Sequence, residues 1–449
     1  MKTLIYGGRV IDPANRVDAQ LNILLEDGKI AWVGRTLPEA DETVDATGKI
    51  VCPGFIDIHM HEDPVGEDGK IRFGIFRNML AMGVTTAVGG QCGISLYDPI
   101  EYLNIVDRDG APVNVAMLAG HEYFRVRSGA TDKYAKATEE QREALVAGIS
   151  KALKGGCLGV SFGLRYIPGT DKDEFFRAAE CCVSENKLIA SHVRDDADGI
   201  FGAIDEFLEA GVHFGIPCQI SHIGSMGGYG QMEEVLRRID EYAMNGLDVM
   251  MDCYPYFAFS TKVGTTTYDP GWLERYHCDY DALEFSEGKY KGQRATKETF
   301  EEMRRDFPEC MTVCYVMKPE DITLAYRHPR VMVGSDGILN NGQGHPRAAG
   351  SFPRFLAQFV REGDIDLYTA VSKITSIPAA RLGLKNKGRL NVGADADVTI
   401  FDPHTVCDGA TFAQPILPPK GISHVFIGGK LAAKDCEILE ANCGTAVRG

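Results

Sequence analysis

Between residues 54 and 336 the chain alternates short apolar or β-branched runs with longer segments whose apolar residues recur every three or four positions. Strand-type and helix-type periodicity taken in turn is the signature of βα units around a parallel sheet. Eight candidate strands emerge, at 54–59, 84–89, 115–120, 157–162, 188–193, 217–222, 248–253 and 331–336. The amphipathic segments between them predict helices, among them Glu139 to Lys154, Asp173 to Asn186 and Met232 to Asn245. Eight such units predict an α/β fold of the (β/α)8, TIM-like barrel type, whose chemistry sits at the C-terminal ends of the strands. The stretch from about Tyr254 to Arg330 exceeds an ordinary connection. It predicts an insertion at about 257–330 that covers the site.

The two ends of the chain have a different texture. Thr3-Leu4-Ile5-Tyr6, Asn22-Ile23-Leu24-Leu25 and Lys29-Ile30-Ala31-Trp32-Val33-Gly34 read as short strands, the last two joined by Glu26-Asp27-Gly28. An Asp-Gly step between apolar runs is a hairpin signal. Asp397-Val398-Thr399-Ile400-Phe401 and His424-Val425-Phe426-Ile427 repeat the pattern at the far end. The expected partition is a small β-sandwich domain built from residues 1–52 and 386–449, and a barrel of residues 53–385 between them. At 449 residues the chain can bury a large core of this kind.

Composition narrows the function classes. The chain carries 63 Asp plus Glu against 47 Lys plus Arg, a balance unsuited to tracking nucleic-acid phosphates. No apolar run approaches the roughly 18 residues of a membrane span, and the first residues lack the apolar core of a signal peptide. The expectation is a cytoplasmic protein acting on a small molecule, with no nucleic-acid or membrane partner and with room for homo-oligomerisation. Thirteen cysteines, among them Cys157, Cys218, Cys253 and Cys314 in apolar segments, fit reduced, packed thiols. Cys181-Cys182 and Cys310-x-x-x-Cys314 lack the spacing of a structural zinc site.

The candidate chemistry lies at the strand ends. His59-Met60-His61 closes the first strand, where residues two apart face one side, so both imidazoles enter one site. Cys92 follows the second strand, His192 ends the fifth, His222 the sixth and Asp336 the eighth. A lone histidine in such a place is usually a hydrogen-bonded structural residue, and a lone cysteine usually packs. Their joint occurrence at one barrel mouth points to a metal site.

On these residues the chain resembles the amidohydrolase superfamily, and within it the N-acyl-D-amino acid deacylases, or D-aminoacylases. The likeness runs through Pro53-Gly54-Phe55-Ile56-Asp57-Ile58-His59-Met60-His61, Gly89-Gly90-Gln91-Cys92-Gly93, Gly120-His121, Gly159-Val160-Ser161-Phe162-Gly163, Ser191-His192-Val193-Arg194-Asp195 and Ser221-His222. It continues through Gly334-Ser335-Asp336-Gly337, His345-Pro346-Arg347 and Gly393-Ala394-Asp395-Ala396-Asp397. The resemblance implies that Cys92, His192 and His222 hold a zinc ion tightly, that His59 and His61 form a second, weaker position, and that Asp336 is the general base and acid. It implies hydrolysis of linear N-acyl-D-amino acids to a carboxylate and a free D-amino acid.

Dihydroorotases and hydantoinases bridge two metals with a carboxylated lysine on strand four. Here Cys157-Leu158-Gly159-Val160-Ser161-Phe162-Gly163 has none, and Lys154 precedes the strand. A single catalytic zinc is expected. Two departures from the deacylase pattern concern the substrate: Gly224 stands where the family has a carboxylate-holding lysine, and the stretch around Val65-Gly66-Glu67-Asp68-Gly69-Lys70 is longer. Arg165, Lys262 and Arg347 are the candidate replacement cations, with His121 and Tyr254 as further pocket residues. Gly224 also motivates an alternative substrate, a cyclic amide of hydantoin or dihydropyrimidine type or another small acylated compound. A non-catalytic scaffold would be expected to have lost ligands that this chain retains.

Overall fold

The computed structural model describes residues 1–340 and 342–449. Eight parallel strands form its centre: β1 (Phe55–Asp57), β2 (Val84–Gly89), β3 (Asn114–Met117, continued by Ala119–Gly120), β4 (Gly159–Gly163), β5 (Leu188–His192), β6 (Cys218–Ile220), β7 (Val249–Cys253) and β8 (Val331–Val333). Each pairs with the next in chain order. The ring closes just beyond the strands, where Met60 bridges Gly337 in parallel register and the Asp336 amide donates to the His59 carbonyl at 2.7 Å. All eight expected strands are present within a few residues, because strands buried on both faces read as continuous apolar runs.

Side-chain alternation divides the core. Ile56, Ile58, Ala116, Leu118, Ala190 and Met332 belong to one cluster, while their neighbours Phe55, Val115, Met117, Ile189, Val331 and Val333 join the larger cluster with the helices. The helices begin where their sequences direct. Glu139–Lys154 starts at Thr138, whose hydroxyl accepts from the Gln141 amide while Gln141 Oε1 accepts from the Thr138 amide. This is a capping box, and Leu145, Ile149, Ala152 and Leu153 form the buried stripe behind it. Lys172–Glu185 and Met232–Met244 occupy the other two expected places.

The long segment after β7 folds into a three-stranded antiparallel sheet, Phe259–Lys262, Met311–Cys314 and Leu283–Phe285, with the short helices Trp272–Arg275 and Lys297–Asp306. It ends earlier than the expected 330. Pro319–Arg327 is an ordinary barrel helix packed on β7, β8 and Met232–Met244, started by Pro319 and the acidic pair Glu320 and Asp321.

The chain ends meet in one seven-stranded sheet, in which Val398–Phe401 pairs with Ile50–Pro53 and Arg9–Asp12 pairs with both Ile50–Pro53 and Val17–Gln20. A four-stranded sheet of Lys29–Gly34, Asn22–Glu26, Lys2–Tyr6 and Glu42–Asp45 shares its core through Ile5, Val10, Ile23, Val51, Ile400 and Phe426. Asp27 and Gly28 both take positive φ, 50° and 77°, as the expected Asp-Gly hairpin turn requires.

Asp397 ties these sheets to the barrel. Its carboxylate accepts from Asn114 on β3 at 3.0 Å, from Lys387 at 2.7 Å and from the Gly428 amide at 2.8 Å. Removing Asp397 leaves the buried Lys387 with Asp395 alone, at 3.1 Å, and takes an acceptor from both Asn114 and the Gly428 amide. The Asp397→Ala variant is expected to lose ~3 kcal/mol of unfolding free energy, read as a lower denaturation midpoint. A midpoint equal to that of the parent protein would show that the sheets and barrel do not depend on this carboxylate.

Candidate metal centre and active site

At the C-terminal mouth, His59, Cys92, His222 and Asp336 each place one ligand atom within 4.8 Å of the others, and all four are buried. Cys92 Sγ lies 3.4 Å from His59 Nε2 and 3.3 Å from His222 Nε2. Asp336 Oδ1 is 3.5 Å from His59 Nε2 and 3.1 Å from His61 Nε2. His192 stands beside this group, its ring 4.6 Å from the His222 ring and 4.6 Å from that of Tyr166. The six residues expected at the mouth are therefore brought together. Their tightest grouping joins His59 to Cys92 and His222, with His61 and His192 at its edges.

The backbone that delivers them is strained. Cys92, His222 and Asp336 have φ of 54°, 34° and 48°, left-handed values that non-glycine residues seldom adopt. Each lies just past its strand, where the turn aims the side chain inward. Glu62 steadies the cysteine loop, accepting from the Gly90 amide at 2.8 Å and the Leu96 amide at 2.7 Å. Gly90 and Gly93 flank Cys92 at φ 72° and 78°, and a Cβ on Gly93 would meet the Gly163 amide at 2.6 Å. Conversely, a side chain at Gly163 would collide with the Cys92 carbonyl. The cysteine loop thus occupies the space at the end of β4 that an inward side chain would need.

Charges in this buried pocket sustain one another. Burial alone would raise the Cys92 thiol, but the charges of His59 and His222 hold it well below its ordinary value. Burial likewise opposes ionisation of Asp336, yet Arg347 foremost, then His222, His61 and His59, keep its carboxyl well below the usual range. Burial opposes protonation of His61, which its bonds to Asp336 and Cys92 nevertheless raise to about 9. His192 is lowered by burial and by the charge of His222, which favours the neutral imidazole. Asp57, buried beneath the pair and accepting from the His59 and Ser335 amides, is pushed up to about 7 by desolvation.

Above the cluster opens a cavity of about 320 Å3. Tyr254, Lys262 and Arg347 line it. Arg347 bonds Asp336 Oδ2 at 2.9 Å and stacks on Tyr254, 4.6 Å from the ring centroid. Arg165 and His121 do not line it: Arg165 is drawn sideways to Asp195 at 2.8 Å and Asp196 at 3.6 Å, and His121 turns into the core against Glu174 at 2.9 Å. Both sit at strand ends, as expected, but a nearby carboxylate captures each one.

Gly224 is also turned away from the cavity. A Cβ there would meet Ile322 at 2.7 Å and Cys253 at 2.8 Å, so Ser225 and Met226 face the cavity instead. The 65–70 stretch forms a small turn closed by the Val65 and Ile71 bridge and contributes nothing to the lining. Sequence reasoning passed over Glu62, Asp252, Ser225 and the cavity-lining Lys133 and Glu122. A signal existed only for Asp252, a carboxylate inside the apolar run Val249-Met250-Met251-Asp252-Cys253.

The model of the amidohydrolase family matches residues 42–155 and 316–433, more than half of the chain. The chain belongs to that family. The amidohydrolase is 31% identical to the N-acyl-D-glutamate deacylase of Alcaligenes xylosoxydans xylosoxydans, over 95% of this chain and 92% of the relative. It is 31% identical to the D-aminoacylase of the same organism, over 95% and 93%. The crystal structure of N-acyl-D-glutamate deacylase from Bordetella bronchiseptica, solved with zinc and a phosphonate mimic of the tetrahedral intermediate, superposes with a TM-score of 0.89 at 29% identity, covering 100% of this chain and 99% of that one. Among the described residues no helix is long and apolar enough to cross a membrane.

Because the Asp336 carboxyl is depressed in the folded state, its stabilising contacts are complete above the unfolded carboxyl value of about 4 and are lost as pH falls through the lower folded value. In metal-free protein, Asp336→Asn is expected to make acid unfolding shallower below about pH 4. Superimposable acid limbs for the two proteins would remove Asp336 as a source of that dependence.

Proposed function

We propose that this amidohydrolase cleaves the amide bond of N-acyl-D-amino acids, giving a carboxylate and a free D-amino acid. One observation carries the reading: a thiol and imidazoles converge with an ionised carboxylate under an open cavity, in a chain similar end to end to enzymes that act on such substrates. The D configuration rests on those relatives.

The donor set suits zinc. A thiol held below its ordinary value, imidazoles with Nε2 near it and the unpartnered Nδ1 atoms of His59, His61 and His192 are the ligand chemistry zinc selects. In this reading Cys92, His192 and His222 hold the tightly bound ion, and His59 and His61 offer a second, weaker position. When bound, zinc supplies Lewis acidity, polarising the scissile carbonyl and bringing the pKa of water towards neutrality.

The chain's own groups do the rest. Asp336, kept ionised by Arg347, accepts the proton of the attacking water at a carboxylate oxygen and returns it to the amide nitrogen, which leaves as an amine. Lys133, Lys262 and Arg347 line the cavity, and Lys262, which also pairs with Glu309 at 2.5 Å, and Arg347 receive the substrate carboxylate. The missing lysine at Gly224 no longer favours a cyclic substrate, since that position points into packed side chains.

Release of free amine from paired N-acetyl-D- and N-acetyl-L-amino acids tests the assignment. Turnover of the D series alone is expected, and ring opening of hydantoins without deacylation would overturn it. Asp336→Asn is expected to cut kcat by about 10²- to 10⁴-fold while zinc stays bound; undiminished turnover would remove Asp336 from the mechanism. Lys262→Ala is expected to raise KM about tenfold, on the order of one charge-assisted hydrogen bond, with kcat little changed. A KM equal to that of the parent would assign the carboxylate to the other cations.

A further inference from the structure

His222, one of the two imidazoles nearest Cys92, is held from behind. Ser225 Oγ lies 2.9 Å from His222 Nδ1 and donates its single proton to the His222 carbonyl at 3.0 Å. With its proton directed to that carbonyl the hydroxyl accepts at the ring, which places a hydrogen on Nδ1 and, once the ring is neutral, leaves Nε2 bare towards Cys92. On the opposite side Asp252 Oδ1 makes an oblique 3.1 Å contact with His59 Nδ1 and accepts from the His222 amide at 2.8 Å, while Oδ2 accepts from Gln219 at 2.9 Å. Nδ1 of His59, His61 and His192 makes no hydrogen bond among the described residues, so His222 is the imidazole of this group whose Nδ1 is hydrogen-bonded.

We infer that Ser225, seconded by Asp252, is a positioning residue that presets the imidazole tautomer required for metal binding. It rests on the metal reading above and deepens it. Without this hydrogen bond, His222 would distribute its proton between the two nitrogens, and the Nε2–H form must be reversed before Nε2 can donate to a metal. The Asp252 bond to the His222 amide also holds that residue at its strained φ of 34°, so ring orientation and tautomer are set together.

Two readouts test this in the full-length protein. Zinc affinity, measured by competition with a chromophoric chelator, is expected to weaken by about 10- to 100-fold in Ser225→Ala. Ser225→Thr, which keeps the hydroxyl, is expected to restore affinity to near that of the parent. Long-range ¹H–¹⁵N spectra of the zinc-free parent protein, recorded at a pH where the ring is neutral, are expected to show His222 as the Nδ1–H tautomer, with Nε2–H appearing in Ser225→Ala. Unchanged zinc affinity in a folded Ser225→Ala, failure of Ser225→Thr to rescue, or an Nε2–H tautomer in the parent would each overturn the assignment. A parent protein that binds no zinc would sink the metal reading itself, and the His222 tautomer in that protein would still decide the role of Ser225.

Discussion

The hydrogen bond from the Asp336 amide to the His59 carbonyl, 2.7 Å long, closes the barrel, and the active site is built along that seam. The His61 amide donates to the Gly337 carbonyl at 3.0 Å, and the Ser335 amide donates to Asp57 at 3.0 Å. Residues at opposite ends of the barrel sequence thereby become neighbours, and Asp336 lands between the two imidazoles that close β1. A parallel barrel can do this because its first and last strands must meet for the sheet to lose its edges. Closure and the catalytic constellation are one event.

Placing so much ionisable chemistry in a buried mouth is costly unless each charge has a partner. The cluster meets that requirement internally: Cys92 with His59 and His222, Asp336 with Arg347 and His61, and Arg347 with both Asp336 and the face of Tyr254. The left-handed backbone at Cys92, His222 and Asp336 persists because Glu62, Asp252 and the seam itself hold the surrounding amides. The same web that stabilises the charges fixes their geometry.

Above this floor, the segment after β7 lines much of the cavity. Its Phe259–Lys262 strand and the Thr266–Tyr268 turn bring Ser260, Thr261, Lys262 and Thr266 to the cavity wall, which Glu122 of the helix His121–Arg127 and Lys133 beyond it also line. The cluster of thiol, imidazoles and carboxylate thus forms the floor of the cavity, and inserted and loop residues form much of its wall.

What could be read along the chain was whatever a local pattern encodes. Continuous apolar runs marked the eight barrel strands because both faces of a parallel strand are buried, and Asp27-Gly28 marked its hairpin because both residues must take positive φ. His59, His61, Cys92, His192, His222 and Asp336 were legible because they follow such strands, where a barrel gathers its chemistry. Tertiary structure alone decided which strand-end residues turn inward. Arg165 and His121 occupy equivalent places but are captured by Asp195, Asp196 and Glu174, and Gly224 faces Ile322. It also decided that Asp252 and Ser225 stand behind the histidines and that Glu62 braces the cysteine loop. Those roles depend on distances between atoms brought together by closure of the barrel, and no spacing in one dimension records them.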